Sequence, residues 1–122
     1  MTLHRRELQI MKIIWKKGQA TVRDIYQTLL KGEQIAYTTV ATILKNMERK
    51  GIVGHEVVGR TYVYKPLITE EEVSQSMLRD LLDRLFDGST EMLLSTLVKV
   101  QGLSRGELEE LWQRISSYEE EE

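Results

Sequence analysis

The chain has 122 residues, a net charge of −2 at neutral pH and no cysteine. The lack of cysteine excludes disulfides, thiolate metal sites and thiol redox chemistry, and no apolar run approaches the roughly 18–20 residues of a membrane span. The N-terminal MTLHRREL has no apolar segment of the kind found in secretory signals. We therefore expect a cytoplasmic protein that does not insert into a membrane.

Two amphipathic helices are predicted in the first third of the chain. Residues 8–17 are densely apolar, and Gly18 ends this run. Thr21 and Asp24 have the spacing of a capping box, in which a hydroxyl and a carboxylate each accept a backbone N–H at the start of a helix. A second helix is therefore predicted to begin after Thr21 and to end near residues 30–32.

A third helix is predicted within residues 36–51, and its two faces differ in chemistry. The apolar positions follow the spacing i, i+3, i+4, i+7: Val40, Ile43, Leu44 and Met47. The opposite face carries polar and basic side chains and no acid: Thr38, Thr42, Lys45 and Arg49, with Asn46 at its flank and Thr39 at its edge. Such a face suits the major groove of DNA, although an ordinary solvated helix face has a similar composition.

A β-hairpin is predicted directly after this helix. Gly51 has the position of a helix-ending glycine, and residues 52–58 and 61–65 are two β-rich runs joined by Gly59 and Arg60. Pro66 cannot extend the ladder and closes the unit. Three helices followed by a hairpin form the order of a winged helix-turn-helix, with Arg60 at the wing tip, where an arginine suits phosphate.

Charge divides the chain into two parts. Residues 1–66 hold twelve Lys and Arg against five acids, a net charge of +7, whereas residues 67–122 have a net charge of −9. A basic module is typical of proteins that bind polyanions. We therefore predict a winged-helix DNA-binding domain over residues 1–66 and a helical dimerisation region over residues 67–122, in a fold that is mainly α with a small β-hairpin.

The acidic region contains three predicted helices with start signals at Thr69, Ser89 and Ser104. About fifty residues cannot bury so many large apolar side chains in an independent core. We expect them to bury against a second copy, which would place two recognition helices about one DNA turn apart. The alternative is that they pack on the N-terminal domain. The predicted dimer interface comprises Met77, Leu81, Leu85, Leu93, Leu97, Leu108, Leu111 and Trp112.

Catalytic and metal-binding patterns are missing from the sequence. The two histidines, His4 and His55, fall in different predicted elements and have no neighbour at ligand spacing. We therefore predict a DNA-binding protein without catalytic activity, cofactor or metal. A winged helix used as a protein-interaction module, with its basic face on an acidic partner, is the alternative, and it would show no sequence preference on DNA.

Four segments together resemble the BlaI/MecI/CopY penicillinase-repressor family: ELQIMKIIWKKGQATVRDIYQTL, IAYTTVATILKNMERKGIV, GRTYVYKPLITEEE and LLDRLFDGS. The resemblance spans about residues 3–115 with the motifs in the family's order. It implies a dimeric bacterial repressor that binds a dyad operator upstream of resistance or stress-response genes. It also implies base contacts from Thr39 and Thr42, positions facing or flanking the groove for Thr38, Lys45, Asn46, Arg49 and Lys50, and wing positions near phosphate for Arg60 and Tyr62. We therefore expect base contacts from Thr38, Thr39, Thr42 and Asn46. We expect DNA backbone contacts from Lys45, Arg49, Lys50, Arg60 and Tyr62.

The sequence departs from the family pattern at two points. The copper-responsive branch has a C-terminal cysteine cluster, which this chain lacks. The β-lactam-responsive members are inactivated by a sensor protease at an Asn-Phe pair, and the aligned pair here is Thr96-Leu97. The resemblance thus implies a sensor protease as a candidate partner without identifying the cleaved bond or the inducing signal.

Overall fold

The computed structural model describes residues 2–121 and the side-chain exposure of residues 2–118. Within these residues the chain forms six helices and three strands. They are α1 (Arg5–Lys17), β1 (Ala20–Thr21), α2 (Val22–Leu30), α3 (Tyr37–Arg49), β2 (Val53–Val58), β3 (Thr61–Pro66), α4 (Glu70–Leu85), α5 (Thr90–Gln101) and α6 (Arg105–Glu121).

The three strands form one antiparallel sheet in the order β1-β3-β2. In the predicted hairpin Val58 pairs with Thr61, which leaves Gly59 and Arg60 as the two-residue turn. Strand β1 was not predicted, because two residues carry no periodic signal. It pairs Ala20 with Tyr64 and so attaches the start of α2 to the base of the hairpin.

A single apolar core holds α1, α2, α3 and the sheet together. Its largest fully buried side chains come from all three helices and from the chain entering the hairpin: Ile10, Met11, Ile14, Ile25, Val40, Leu44, Met47, Ile52 and Val53. The predicted apolar stripe of α3 is therefore confirmed as its inner face. Burial of this stripe fixes the opposite side of α3 toward solvent, since an α-helix presents each face in only one direction.

The helix boundaries follow the predicted start and stop signals, with one correction. Thr21 Oγ1 accepts the Asp24 N–H at 3.1 Å, and the Asp24 carboxylate accepts the Thr21 N–H at 3.1 Å, which confirms the capping box of α2. Helix α1 begins at Arg5 rather than at residue 8 as predicted. The side chain of Glu7 accepts the His4 N–H at 3.0 Å and supports this extra turn.

Helix α3 ends in a Schellman motif at the predicted glycine. Gly51 has a φ of +79°, and the Ile52 N–H donates to the Met47 carbonyl at 3.0 Å while the Gly51 N–H donates to the Glu48 carbonyl at 3.0 Å. A side chain with a Cβ is disfavoured at this φ. The glycine therefore turns the chain from α3 directly into the wing.

The chain divides into two compact units, Met1–Arg79 and Asp80–Glu122. The first continues past residue 66, where the sequence placed a boundary, because Val73 is buried in its core and Met77 packs against that core. Trp15 Nε1 also donates to the Ile68 carbonyl at 2.9 Å. In residues 2–121 no helix has both the length and the apolar character needed to span a membrane.

Helices α5 and α6 begin at the predicted capping residues. Ser89 Oγ accepts the Met92 N–H at 3.1 Å. Ser104 Oγ accepts the Glu107 N–H at 3.2 Å, and the Glu107 carboxylate accepts the Ser104 N–H at 3.3 Å. These local signals define the helices of the second unit without any contribution from a buried core.

Candidate nucleic-acid interface

The solvent-facing side of α3 carries the residues that the sequence assigned to DNA. All seven are exposed: Thr38, Thr39, Thr42, Lys45, Asn46, Arg49 and Lys50. Val40, Leu44 and Met47 on the inner side are completely buried. The exposed side is therefore held in place by the packing of the inner side, and it presents hydroxyl, amide and cationic groups with no carboxylate among them.

Two of these polar groups have defined hydrogen bonds. The Thr42 hydroxyl donates to the Thr38 carbonyl at 2.9 Å, so its oxygen still has lone pairs that can accept a hydrogen bond. Asn46 Oδ1 lies 3.5 Å from Arg49 Nη1. An acceptor oxygen, a threonine methyl group and an amide on one exposed face match the donors, methyl groups and acceptors that base pairs present in the major groove.

The wing places a cation and an aromatic ring beside α3. Gly59 adopts a φ of +66°, which allows the tight turn, and the neighbouring Arg60 is exposed at the tip. The exposed ring of Tyr62 stacks on His55, with ring centroids 4.1 Å apart and planes 8° apart. Arg60 and Tyr62 thus lie on the hairpin at the positions that the sequence predicted.

The recognition helix and the wing are joined by a contact that sequence reasoning missed. His55 Nδ1 on β2 lies 2.5 Å from Glu48 Oε1 on α3. His55 also pairs with Tyr64 across the strands, and burial, followed by the nearby Glu48 charge, raises the pKa of the Tyr64 hydroxyl. The contact orients the wing against α3. No spacing rule connects Glu48 with His55, because their proximity depends on the turn at Gly51.

Lys50 has a different environment from the other basic residues of this face. Its Nζ lies 2.9 Å from Glu7 Oε2, at the start of α1. Lys45, Arg49 and Arg60, by contrast, form no ion pair with the described side chains of residues 2–118. Three of the four predicted backbone cations are therefore available to an external anion, whereas Lys50 connects α1 with the end of α3.

The acids nearest the wing are paired within the fold. Glu48 contacts His55, and Glu56 on β2 lies 2.6 Å from Lys65 Nζ on β3. The Lys65 ammonium offsets the charge of Glu56 locally. The exposed face of α3 and the wing tip retain a net positive character, as a surface that approaches phosphate requires.

The second unit has an unusual distribution of apolar side chains. None of residues 80–118 is buried, and of the predicted interface residues Leu81, Leu85, Leu97, Leu108, Leu111 and Trp112 are all exposed. Leu93 is partly buried. Met77 differs from the rest, because it packs against the core of the first unit.

A helix-turn-helix followed by a β-hairpin, with a third helix whose exposed face is polar and free of acids, defines the class of winged-helix transcriptional regulators. The family model described as penicillinase repressor matches residues 3–117. The chain belongs to the penicillinase repressor family.

Individual relatives agree with this assignment. The penicillinase repressor of Bacillus licheniformis is 28% identical over 112 residues, which are 92% of this chain and 88% of the relative. The methicillin resistance regulatory protein MecI of Staphylococcus aureus strain N315 is 23% identical over 105 residues, 86% of this chain and 85% of the relative.

Among solved structures, the chain is similar to the solution structure of the monomeric form of Bacillus licheniformis BlaI in complex with the blaP half-operator. The two share 30% identity and superpose with a TM-score of 0.51, over 59% of this chain and 93% of that one. The similarity confirms the predicted winged-helix fold.

Proposed function

We propose that the protein is a homodimeric transcriptional repressor that binds a two-fold symmetric DNA operator. The observation that carries the proposal is the exposed face of α3, which is acid-free and polar and is held outward by the complete burial of Val40, Leu44 and Met47 on the inner side. The DNA-bound state of a similar structure supports DNA as the partner. Repression would follow from occupying a promoter and excluding polymerase.

Within this proposal the side chains have separate tasks. Thr38, Thr39, Thr42 and Asn46 contact base edges, because threonine supplies a methyl group for thymine and asparagine can pair bidentately with adenine. Lys45, Arg49, Arg60 and Tyr62 contact the sugar-phosphate backbone, which supplies most of the affinity and makes binding fall steeply with salt. Lys50, bound to Glu7, positions the end of α3.

The second unit supports dimerisation through its exposed apolar surface. Helices α5 and α6 enclose a groove of about 520 Å³ whose lining is almost entirely apolar and includes Leu97, Leu111 and Trp112. A segment of this size without a single buried residue between positions 80 and 118 does not form an independent core. A second copy provides a complementary apolar surface, as two-fold symmetric interfaces do.

The regulated genes are proposed by likeness only. The relatives are named for penicillinase and methicillin resistance, so we propose resistance or stress-response genes as targets. We also propose a sensor protease as the agent of derepression. The aligned pair Thr96-Leu97 is exposed on α5, and cleavage there would remove the groove that joins two copies.

Selection from a pool of random duplexes at near-physiological salt, with sequencing of the bound fraction, tests the proposed function. We expect a two-fold symmetric motif with half-sites about one helical turn apart. Recovery of no motif, with only salt-sensitive binding, would overturn the repressor assignment and favour a protein-interaction module with an acidic partner.

A further inference from the structure

A cavity of about 510 Å³ lies at the flank of the recognition helix, between the start of α2, α3 and the wing. The residues from α3 are Tyr37, Ala41 and Lys45, which lie one above another at a spacing of four. Tyr37 and Ala41 immediately precede Thr38 and Thr42 in the sequence, so the two stripes are neighbours around the helix. When the threonine stripe faces base edges, the stripe at the cavity faces the edge of the groove, where the sugar-phosphate backbone runs.

Three cationic side chains from three different elements line the cavity. Arg23 comes from α2, Lys45 from α3 and Arg60 from the wing tip, and the lining includes no carboxylate. All three are exposed, and none forms an ion pair with a group in the part of the chain that the structure describes. Three like charges around one opening repel each other unless an anion lies between them.

Hydrogen-bond donors complete the lining. Thr21 and Val22 place the first turn of α2 at the cavity. The capping box occupies the Thr21 and Asp24 N–H groups, which leaves the N–H groups of Val22 and Arg23 without a partner within the helix. The nearby acid, Asp24, is not among the lining residues, and its carboxylate accepts the Thr21 N–H at 3.1 Å. Tyr37 and Tyr62 also line the cavity and carry hydroxyl groups that can act as neutral donors.

We propose that this cavity binds one backbone phosphate of the duplex, held jointly by Arg23, Lys45 and Arg60. The inference rests on the proposed function and adds Arg23, which lies outside both the recognition helix and the wing, to the DNA interface. Because the phosphate is gripped from α2, α3 and the wing at once, it fixes how deeply α3 enters the groove. The contact is independent of base sequence.

Arg23→Gln tests the assignment, with Lys31→Gln as the matched control. Lys31 is also exposed, carries the same charge and lies at the opposite end of the same helix. Loss of one phosphate contact lowers the magnitude of the slope of log affinity against log salt by about 0.9. At 0.1 M salt this corresponds to an affinity that is weaker by roughly eightfold. We expect this loss for Arg23→Gln on the selected duplex and on random duplex alike, and no such loss for Lys31→Gln.

Ethylation interference on the selected duplex locates the contact. For the wild type, we expect ethylation of one phosphate per half-site to weaken binding, and this interference to be reduced for Arg23→Gln and for Lys45→Gln at the same phosphate. Equal salt slopes for Arg23→Gln and Lys31→Gln, or unchanged interference, would overturn the phosphate site. The proposed function would still stand in that case if the wild type selects a motif. A wild type that selects no motif would instead refute the proposed function.

Discussion

Lys50 Nζ lies 2.9 Å from Glu7 Oε2, so that the end of the recognition helix is bound to the first turn of the first helix. Glu7 is almost fully buried, with 6% of its surface exposed, and its carboxylate also accepts the His4 N–H at 3.0 Å. One buried carboxylate therefore starts α1 and anchors α3. A basic residue that the sequence assigned to DNA backbone contacts has a structural role here.

This pair predicts a measurable coupling in stability. Glu7→Gln should lower the free energy of unfolding by about 1 kcal/mol, because a charge-assisted hydrogen bond is replaced by a neutral one and Lys50 remains half-exposed. Urea unfolding of Glu7→Gln, Lys50→Met and the double variant at one protein concentration gives the coupling energy. Strictly additive losses would show that the two side chains act independently.

Stability should depend on pH in the acid range. Burial alone raises the pKa of Glu7, but the hydrogen bond from the His4 N–H and the Lys50 ammonium outweigh it, so the pKa lies below the ordinary 4.5. The hydrogen bond from the Thr21 N–H likewise lowers the pKa of Asp24. Because ionisation then favours the folded state, this contribution is complete above about pH 4.5 and is lost as pH falls through the folded pKa.

Urea unfolding at pH 7 and at pH 3 checks the pH dependence. The difference in unfolding free energy between the wild type and Glu7→Gln should be largest at pH 7 and should shrink toward pH 3, because protonation of Glu7 removes the charge that distinguishes it from glutamine. A difference that stays constant across this range would contradict the depressed pKa of Glu7.

Base discrimination should depend on the Thr42 hydroxyl. Its oxygen is exposed and free to accept from a base amino group, because its proton is donated to the Thr38 carbonyl. Thr42→Val keeps the methyl group of threonine and replaces the hydroxyl acceptor with a second methyl, which should lower the preference for the selected site over random duplex by about 1–3 kcal/mol. Competition binding with both duplexes measures this preference.

Two comparisons make the Thr42 experiment specific. Thr42→Ser retains the acceptor and should lose less discrimination than Thr42→Val. Arg60→Ala, at the wing tip, should weaken binding to both duplexes about equally and lower the salt slope by roughly one unit. If Thr42→Val left the preference intact, the base-contacting face would be assigned wrongly.

The association of two copies should be sensitive to a charge in the apolar surface of the second unit. Leu81 is 43% exposed, and Leu81→Glu would bury an unpaired carboxylate in the proposed interface. Sedimentation equilibrium should show that this variant is monomeric. Its binding to the operator should also be weak. Arg79→Gln, which changes the charge by the same one unit on an exposed position of α4, should remain dimeric. A dimeric Leu81→Glu would place the interface elsewhere.

Local sequence signals predicted the elements more successfully than the contacts between them. Capping by Thr21, Ser89 and Ser104 and the glycine at position 51 depend on neighbours within a few residues, and the structure confirms all of them. The start of α1 was missed because His4 is not a usual capping residue.

Longer-range features escaped prediction for a physical reason. The contacts of Glu48 with His55 and of Lys50 with Glu7 join different elements, and helical periodicity does not report which elements meet. The exposed face of α3 could be predicted because its apolar stripe is regular. The cavity beside it could not, because its three cations come from positions 23, 45 and 60.

The exposed second unit makes the number of proposed dimers depend on how many chains the cell contains. In the proposed dimer, a segment with no buried residue between positions 80 and 118 gains an interior only in the step that joins two chains, so the burial of its apolar surface and its pairing form one equilibrium. At low abundance the number of dimers rises with the square of the number of chains. On the proposed assembly, a twofold fall in synthesis would remove about three quarters of the dimers, so that gene dosage and dilution by growth act as inducing signals.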